Sequence, residues 1–119
     1  MTNITTSPTS IEAVSPPGER GQFVAFSEIT VPLAGRQALD DAFRERLGAV
    51  DQWPGFCGLQ VWAAPDDATR VVMVSWWDSA DAFATYMGSP EHRRSHSRIP
   101  RGKDRPRPAA FSRYEVIAQ

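Results

Sequence analysis

Apolar residues alternate between two faces along residues 23–31, FVAFSEITV. Ala25 and Ile29 share one face, and Phe26 falls on the other. Alternation with a period of two, among aromatic and β-branched residues, predicts a β-strand over this segment. The segment at 32–35, which contains a proline and a glycine, then predicts a break.

The apolar spacing changes to steps of three and four between residues 36 and 51. This is the period of one helix face, and charged residues fill the positions between. The pattern predicts an amphipathic helix over residues 36–51. Its apolar positions are Leu39, Phe43, Leu47 and Val50. Pro54 and Gly55 follow, and a proline disfavours helical backbone at the residue before it.

Two further strands are predicted at Phe56–Ala63 and Arg70–Trp77. The sequence Pro-Asp-Asp at 65–67 connects them, so we expect an antiparallel hairpin. Ser79 then provides a helix cap, because a serine side chain can accept a hydrogen bond from the first turn. The apolar face of this second helix comprises Ala82, Phe83, Tyr86 and Met87.

Ser89 and Pro90 predict the start of another short helix, running from Pro90 to about Ser97. Serine is a good cap and proline suits the first helical position. Residues 98–108 contain three prolines and a glycine, and they are predicted to form a loop. A last strand is predicted over residues 110–118.

The predicted order is strand, helix, strand, strand, helix, strand. This is the ferredoxin-like βαββαβ order of an α+β fold, an antiparallel four-stranded sheet with helices on one face. The strands are apolar on both faces, as the neighbours Trp76 and Trp77 illustrate. We therefore expect a second copy of the sheet to cover the open face, in a two-fold homodimer, which is the commonest closed assembly.

A chain of 119 residues is predicted to form one domain with a core of its own. Residues 1–22 are rich in Thr, Ser, Pro and Gly, so we expect a flexible extension before a domain over residues 23–119. The single cysteine, Cys57, cannot form an internal bridge. No apolar run approaches the ~20 residues of a membrane span, and no secretory signal is recognisable. These features predict a cytoplasmic location and no membrane partner.

The formal net charge of -1 conceals a division along the chain. Residues 1–92 carry five Lys and Arg against twelve Asp and Glu, whereas residues 93–119 carry eight against two. The basic run lacks interleaved aromatic residues and the domain as a whole is slightly acidic, which argues against nucleic acid as a partner. It is either a solvated loop or a rim whose arginines, such as Arg98 and Arg101, pair with ligand carboxylates.

Three segments together resemble the antibiotic biosynthesis monooxygenase family. They are PGF at 54–56, SWWDSADAF at 75–83, and the stretch from Ser89 through His92 to His96. The resemblance covers roughly residues 23–117 and implies a dimeric α+β barrel with a cavity between sheet and helices. The family includes haem-degrading monooxygenases and cofactor-independent oxygenases that act on polyketide-type phenols.

The haem-degrading branch uses an Asn in the first strand, a Trp in the helix after the third strand, and an axial His. The resemblance places these three catalytic roles on Ser27, Tyr86 and His96. Ser27 lacks the amide donor of Asn, and Tyr86 presents a smaller face than Trp. The resemblance thus implies an O2-dependent monooxygenase, favoured as haem-binding and haem-degrading, with His96 as the metal ligand to haem iron.

His92 and His96 are the only histidines, and their four-residue spacing projects both from one face of the predicted helix. Such pairs occur in zinc sites, but Arg93 and Arg94 follow the first histidine, and adjacent cations disfavour a divalent ion. His92 is instead a candidate ligand-binding residue. Without the family resemblance, His96 would be interpreted as a solvent-facing residue.

Two other functions remain open. A cofactor-independent monooxygenase would oxidise an aromatic polyketide or quinol, with His96 as the base that accepts the substrate proton. A non-catalytic module would bind haem or another small molecule without turnover. Trp62 and Trp76 are candidates to line the ligand pocket, although core and interface packing would account for most of the four tryptophans.

Overall fold

Four strands form one antiparallel sheet in the computed structural model, which describes residues 21–46 and 48–119. The strands are β1 (Phe23–Thr30), β2 (Phe56–Ala63), β3 (Arg70–Trp77) and β4 (Arg107–Glu115). They lie in the order β2-β3-β1-β4, and each neighbouring pair is antiparallel. The helices are α1 (Leu33–Arg44), α2 (Ala80–Met87) and α3 (Pro90–His96). The predicted α+β, ferredoxin-like architecture is confirmed.

The helices pack on one face of the sheet, called here the helix face. Ala25 of β1 lies opposite Ser75 of β3, and Phe23 lies opposite Trp77. The main buried cluster joins these strands to α2 and comprises Phe23, Ala25, Val50, Trp77, Phe83 and Tyr86. A second cluster joins α1 to the other end of the sheet through Val31, Leu39 and Val71.

The opposite surface, called here the open face, is aromatic and partly exposed. Phe26 contacts Trp62 and Tyr114 edge-on, with ring centroids 6.0 and 6.3 Å apart. Trp62 keeps 44% of its accessible surface and Tyr114 keeps 57%. Because side chains alternate along a strand, these residues point away from the helices.

The predicted helix over residues 36–51 is wrong in its bounds. Helix α1 begins at Leu33, directly after Pro32, whose φ of -59° suits a helix entrance. It ends at Arg44, and Gly48 then adopts a left-handed φ of 75° ahead of a 3-10 turn at Ala49–Gln52. Helix α1 is already capped at Glu45, and Gly48 begins this separate turn although the apolar periodicity continues.

The last strand also differs from the prediction of residues 110–118. It runs from Arg107 to Glu115 and includes Pro108. Strand β4 lies at one edge of the sheet and pairs with β1 alone, so Pro108 can occupy it without an N–H group. The β1–β4 register shifts between Glu28 and Ile29, next to this proline.

The two predicted helix caps are confirmed. The Ser79 side chain accepts a hydrogen bond from the N–H of Ala82, and the Ser89 side chain accepts one from His92. The predicted N-terminal extension lies outside the described residues, apart from Gly21 and Gln22. Within the described part of the chain, no helix has the length and apolar character needed to cross a membrane.

Candidate functional site

A cavity of about 360 Å³ lies between the helix face of the sheet and the three helices. Strands β1 and β3 form its floor, and the segment before β4 contributes one side of its mouth. The volume falls within the roughly 300–1,000 Å³ of small-molecule sites, which are mostly apolar with a few placed polar groups. This cavity is therefore the candidate functional site.

The buried end of the cavity is an aromatic cluster around Trp77. The Trp77 ring lies 5.5 Å from Phe83 and 5.5 Å from Tyr86, measured between centroids. Tyr86 also contacts Trp53 and His92, each at 5.3 Å. Tilted and edge-on ring contacts of this kind hold large side chains in fixed positions.

Four hydroxyl-bearing residues line the cavity: Ser27, Ser75, Tyr86 and Ser95. Tyr86 and Ser75 are buried, whereas Ser27 is half-buried. The indole Nε1–H of Trp77 donates a 2.9 Å hydrogen bond to Ser75 Oγ. The hydroxyls are therefore spread over β1, β3, α2 and α3 and converge on one apolar space.

Both histidines of α3 line the cavity, with their ring centroids 4.5 Å apart. Burial lowers the pKa of His92, and the neighbouring His96 lowers it further, which favours the neutral ring. His96 is exposed at the mouth. Among the described residues, no group of three or more His, Cys, Asp or Glu side chains is close enough to hold a metal ion.

Arginines surround the cavity mouth. Arg46 pairs with Asp51 at 2.9 Å, and Arg98 approaches Glu45 at 3.9 Å. Arg107 also lines the cavity, and in the described part of the chain its side chain makes no ion pair. Arg107 is therefore the rim cation that is most available to a ligand carboxylate.

The structure brings five of the predicted site residues together at the cavity: Ser27, Tyr86, His92, His96 and Arg98. It does not bring Trp62, Trp76 or Arg101 there. Trp62 and Trp76 belong to the open face, because Trp76 adjoins the inward-facing Trp77 and Trp62 contacts Phe26. Arg101 lies in the loop before β4 but does not line the cavity.

Sequence reasoning missed Ser75 and Arg46. A signal for Ser75 was present, because it stands two positions before Trp77 in a strand and must share its face. Arg46 follows α1 in a region predicted to be continuous helix, so its proximity to the cavity was hidden by the wrong helix bounds.

Cys57 lies away from the cavity. Its thiol donates to Asp78 Oδ1 at 3.2 Å, and the β2–β3 register passes over it between Phe56 and Gly58. Burial raises the pKa of the Cys57 thiol to about 11, and the hydrogen bond to the Asp78 carboxylate adds to the effect. The thiol is thus protonated at neutral pH.

Comparison with known protein sequences identifies one family and a relative within it. A sequence profile of the antibiotic biosynthesis monooxygenase family matches residues 16–98. A mycobilin-producing haem oxygenase of Mycobacterium tuberculosis is 31% identical over 67 residues, which is 56% of this chain and 64% of that protein. The match therefore spans less than two thirds of that relative.

Solved structures agree with this result. The haem degrader MhuD of Mycobacterium tuberculosis, with two haems bound in its active site, superposes with a TM-score of 0.67 at 26% identity. The superposition covers 82% of this chain and 97% of that chain. SnoaB, a cofactor-independent oxygenase from Streptomyces nogalater, superposes with a TM-score of 0.66 at 13% identity, covering 83% and 97%. At that identity SnoaB shares the fold only.

Proposed function

The chain belongs to the antibiotic biosynthesis monooxygenase family, and on that premise we propose that it is an O2-dependent monooxygenase that binds and degrades haem. The observation that carries the proposal is the position of His96, at the mouth of an apolar cavity with arginines on its rim. The relatives from Mycobacterium tuberculosis support it, since one is a haem oxygenase and one a haem degrader with bound haem.

The residues of the cavity fit haem chemically. Imidazole is a common axial ligand of haem iron, and His96 needs no further protein ligand because the porphyrin supplies four nitrogens. The aromatic and aliphatic walls suit the apolar ring. Arg107 and Arg98 at the rim suit the two carboxylates, which arginine binds well. Bound haem iron would supply the activation of O2, and the ring would be the substrate.

The protein's own groups would orient the ring and keep water from it. Tyr86 is packed between Trp53, Trp77 and His92, so its ring is held in place against the cavity. Ser27 projects from β1 and offers a hydroxyl in place of the amide that the haem-degrading branch carries. The replacements of Asn by Ser27 and of Trp by Tyr86 should change the product or rate more than the binding of haem.

The experiment is a single-turnover reaction of haem-loaded protein with a reductant and O2, followed by absorption. The proposal predicts loss of the Soret band and the release of a linear tetrapyrrole, both abolished in His96→Ala. A catalase control excludes destruction of haem by free peroxide. A stable Soret band under these conditions contradicts degradation and supports the non-catalytic binding module.

The cofactor-independent alternative has its own support in the apolar cavity with few polar groups, which also suits a phenolic substrate. It would use His96 as the base. Oxygen uptake by metal-free, haem-free protein with a hydroquinone substrate favours this alternative, and its absence removes it. Assays of one protein preparation, with and without haem, therefore distinguish haem degradation from cofactor-independent oxidation.

We further propose a cytoplasmic homodimer. The exposed aromatic residues of the open face, Trp62 and Tyr114 beside Phe26, support a sheet-to-sheet interface between two copies. The free thiol of Cys57 suits a reducing compartment.

A further inference from the structure

Two serines are buried in the described structure, and they differ in how their hydrogen bonds are satisfied. Ser89 is 6% exposed and Ser75 is 7% exposed. Ser89 Oγ accepts from the His92 N–H at 3.1 Å and donates to the Tyr86 carbonyl at 2.6 Å. Ser75 Oγ accepts from Trp77 Nε1 at 2.9 Å, but its own proton meets no acceptor among the described residues.

The residues beside Ser75 in the sheet offer this proton no side-chain acceptor. Ser75 lies opposite Ala25 on β1 and opposite Leu59 on β2, and all three residues line the cavity. The side chains of Ala25 and Leu59 carry no acceptor. The bond from Trp77 occupies one lone pair of Oγ and so limits the directions in which the O–H can point.

A buried donor without an acceptor is costly, and native structures rarely retain one without a reason. The hydrogen bond from Trp77 satisfies the oxygen of Ser75 but leaves the hydroxyl proton without a partner among the described residues. Ser27 differs, because it is only half-buried and solvent can reach it. Among the cavity serines Ser75 is therefore the buried one, and a ligand at the inner end of the cavity can complete its remaining bond.

We propose that Ser75 is a positioning residue whose hydroxyl, held by Trp77, donates a hydrogen bond to an oxygen atom of the bound ligand. The inference rests on the proposed function in one respect, that the cavity binds its substrate. The acceptor has two sources with the same chemistry: the outer atom of a diatomic ligand on haem iron, or a ring oxygen of a quinone or phenol. Separate arms of the experiment distinguish them.

Two pairs of variants separate the proposed hydrogen bond between Ser75 and the ligand from the hydrogen bond that Trp77 donates to Ser75. Trp77→Phe removes the indole donor and keeps the Ser75 hydroxyl. The double variant Trp77→Phe with Ser75→Ala lacks both groups and leaves neither unpaired. These two proteins differ only at the hydroxyl, so a purely structural role for Ser75 predicts identical ligand properties. Ser75→Ala and Ser75→Thr form a second pair that keeps Trp77, and threonine retains the hydroxyl in a residue that suits a strand.

In the first arm, each protein is loaded with haem, reduced and exposed to carbon monoxide. Loss of the Ser75 donor should move the C–O stretch to higher frequency in Ser75→Ala, with Ser75→Thr close to the parent. In the second arm, haem-free protein is titrated with 2-hydroxy-1,4-naphthoquinone by quenching of tryptophan fluorescence. Loss of the donor should raise Kd by roughly threefold to tenfold, the net value of one hydrogen bond.

A shift confined to the first arm assigns the acceptor to the iron-bound ligand, and a shift confined to the second assigns it to the substrate oxygen. Folded variants with unchanged values in both arms overturn the proposal. A parent protein that gives no Soret band contradicts the haem function, yet the quinone arm still tests Ser75. A parent that binds neither probe overturns both.

Discussion

Each face of the sheet carries a tryptophan whose indole donates to the residue two positions earlier in the same strand. On the open face, Trp62 Nε1 donates to Gln60 Oε1 at 2.8 Å, and both side chains are exposed. On the helix face, Trp77 Nε1 donates to Ser75 Oγ at 2.9 Å, and both are buried. The same local bond thus occurs in two different environments.

The difference shows how burial decides the use of an apolar face. Gln60 is exposed on the open face, so water can complete its hydrogen bonds there. Ser75 is buried and lines the cavity, so its remaining proton depends on what the cavity holds. One face is suited to another sheet, and the other is suited to a small molecule.

The largest expected effect is on the free energy of unfolding, and it should differ between Trp77 and Trp62. Trp77→Ala removes a fully buried ring from the main core and should lower the free energy of unfolding by about 3–5 kcal/mol. Trp62→Ala removes a half-exposed ring and should lower it by about 1 kcal/mol or less. Urea unfolding at concentrations where the chain is monomeric measures both. Equal losses would mean that the open face contributes to the monomer's core as much as the helix face does.

The next effect concerns assembly. A charge on the open face, Trp62→Glu or Tyr114→Glu, should halve the mass measured by light scattering, because an unpaired carboxylate would be buried between sheets. Ala38→Glu on the exposed side of α1 is the matched control and should leave the mass unchanged. A dimer that tolerates both open-face charges would place the interface elsewhere.

A smaller effect is expected at the cavity mouth. Arg107→Ser should weaken haem binding by roughly tenfold, the value of one charge-assisted hydrogen bond. Arg101→Ser changes the net charge equally but lies off the cavity, so its Kd should match the parent. The affinity of the parent should also fall with added salt. Equal weakening by both variants would indicate a general electrostatic effect instead of a contact.

The smallest effect is at Cys57, which belongs to neither face. Because its pKa is raised from 9.0 to about 11, the thiolate fraction at pH 8 should be roughly 100-fold below that of a free cysteine. Alkylation should therefore be slow at pH 8 and accelerate as pH rises towards 11. Asp78→Asn should speed it by removing a carboxylate that favours the protonated thiol. A rate that depends on haem would contradict the separation of Cys57 from the cavity.

Strands β1, β2 and β3 could be predicted closely, because their apolar and β-branched residues directly indicate strands of a sheet. The bounds of β2 and β3 match the prediction, and the caps Ser79 and Ser89 follow from side-chain chemistry. The end of α1 could not be predicted from periodicity, since the helix is capped at Glu45 while the apolar pattern continues to Val50.

The site was predictable where residues are close in sequence and less so elsewhere. His92 and His96 share a helix, so their convergence on one place follows from spacing alone. The assignment of Trp76 to the open face required knowing which side of β3 the helices cover. The bond between Trp77 and Ser75 depends on a side-chain orientation that alternation does not specify.

The central claim is that the helix-face cavity binds haem through His96, and a haem titration followed in the Soret region tests it most directly. The parent protein should develop a saturable Soret band, which His96→Ala should lose or shift to that of unligated haem. His92→Ala is the matched control within the same helix and should retain the band. A parent protein without a band, or an unchanged band in His96→Ala, contradicts the claim.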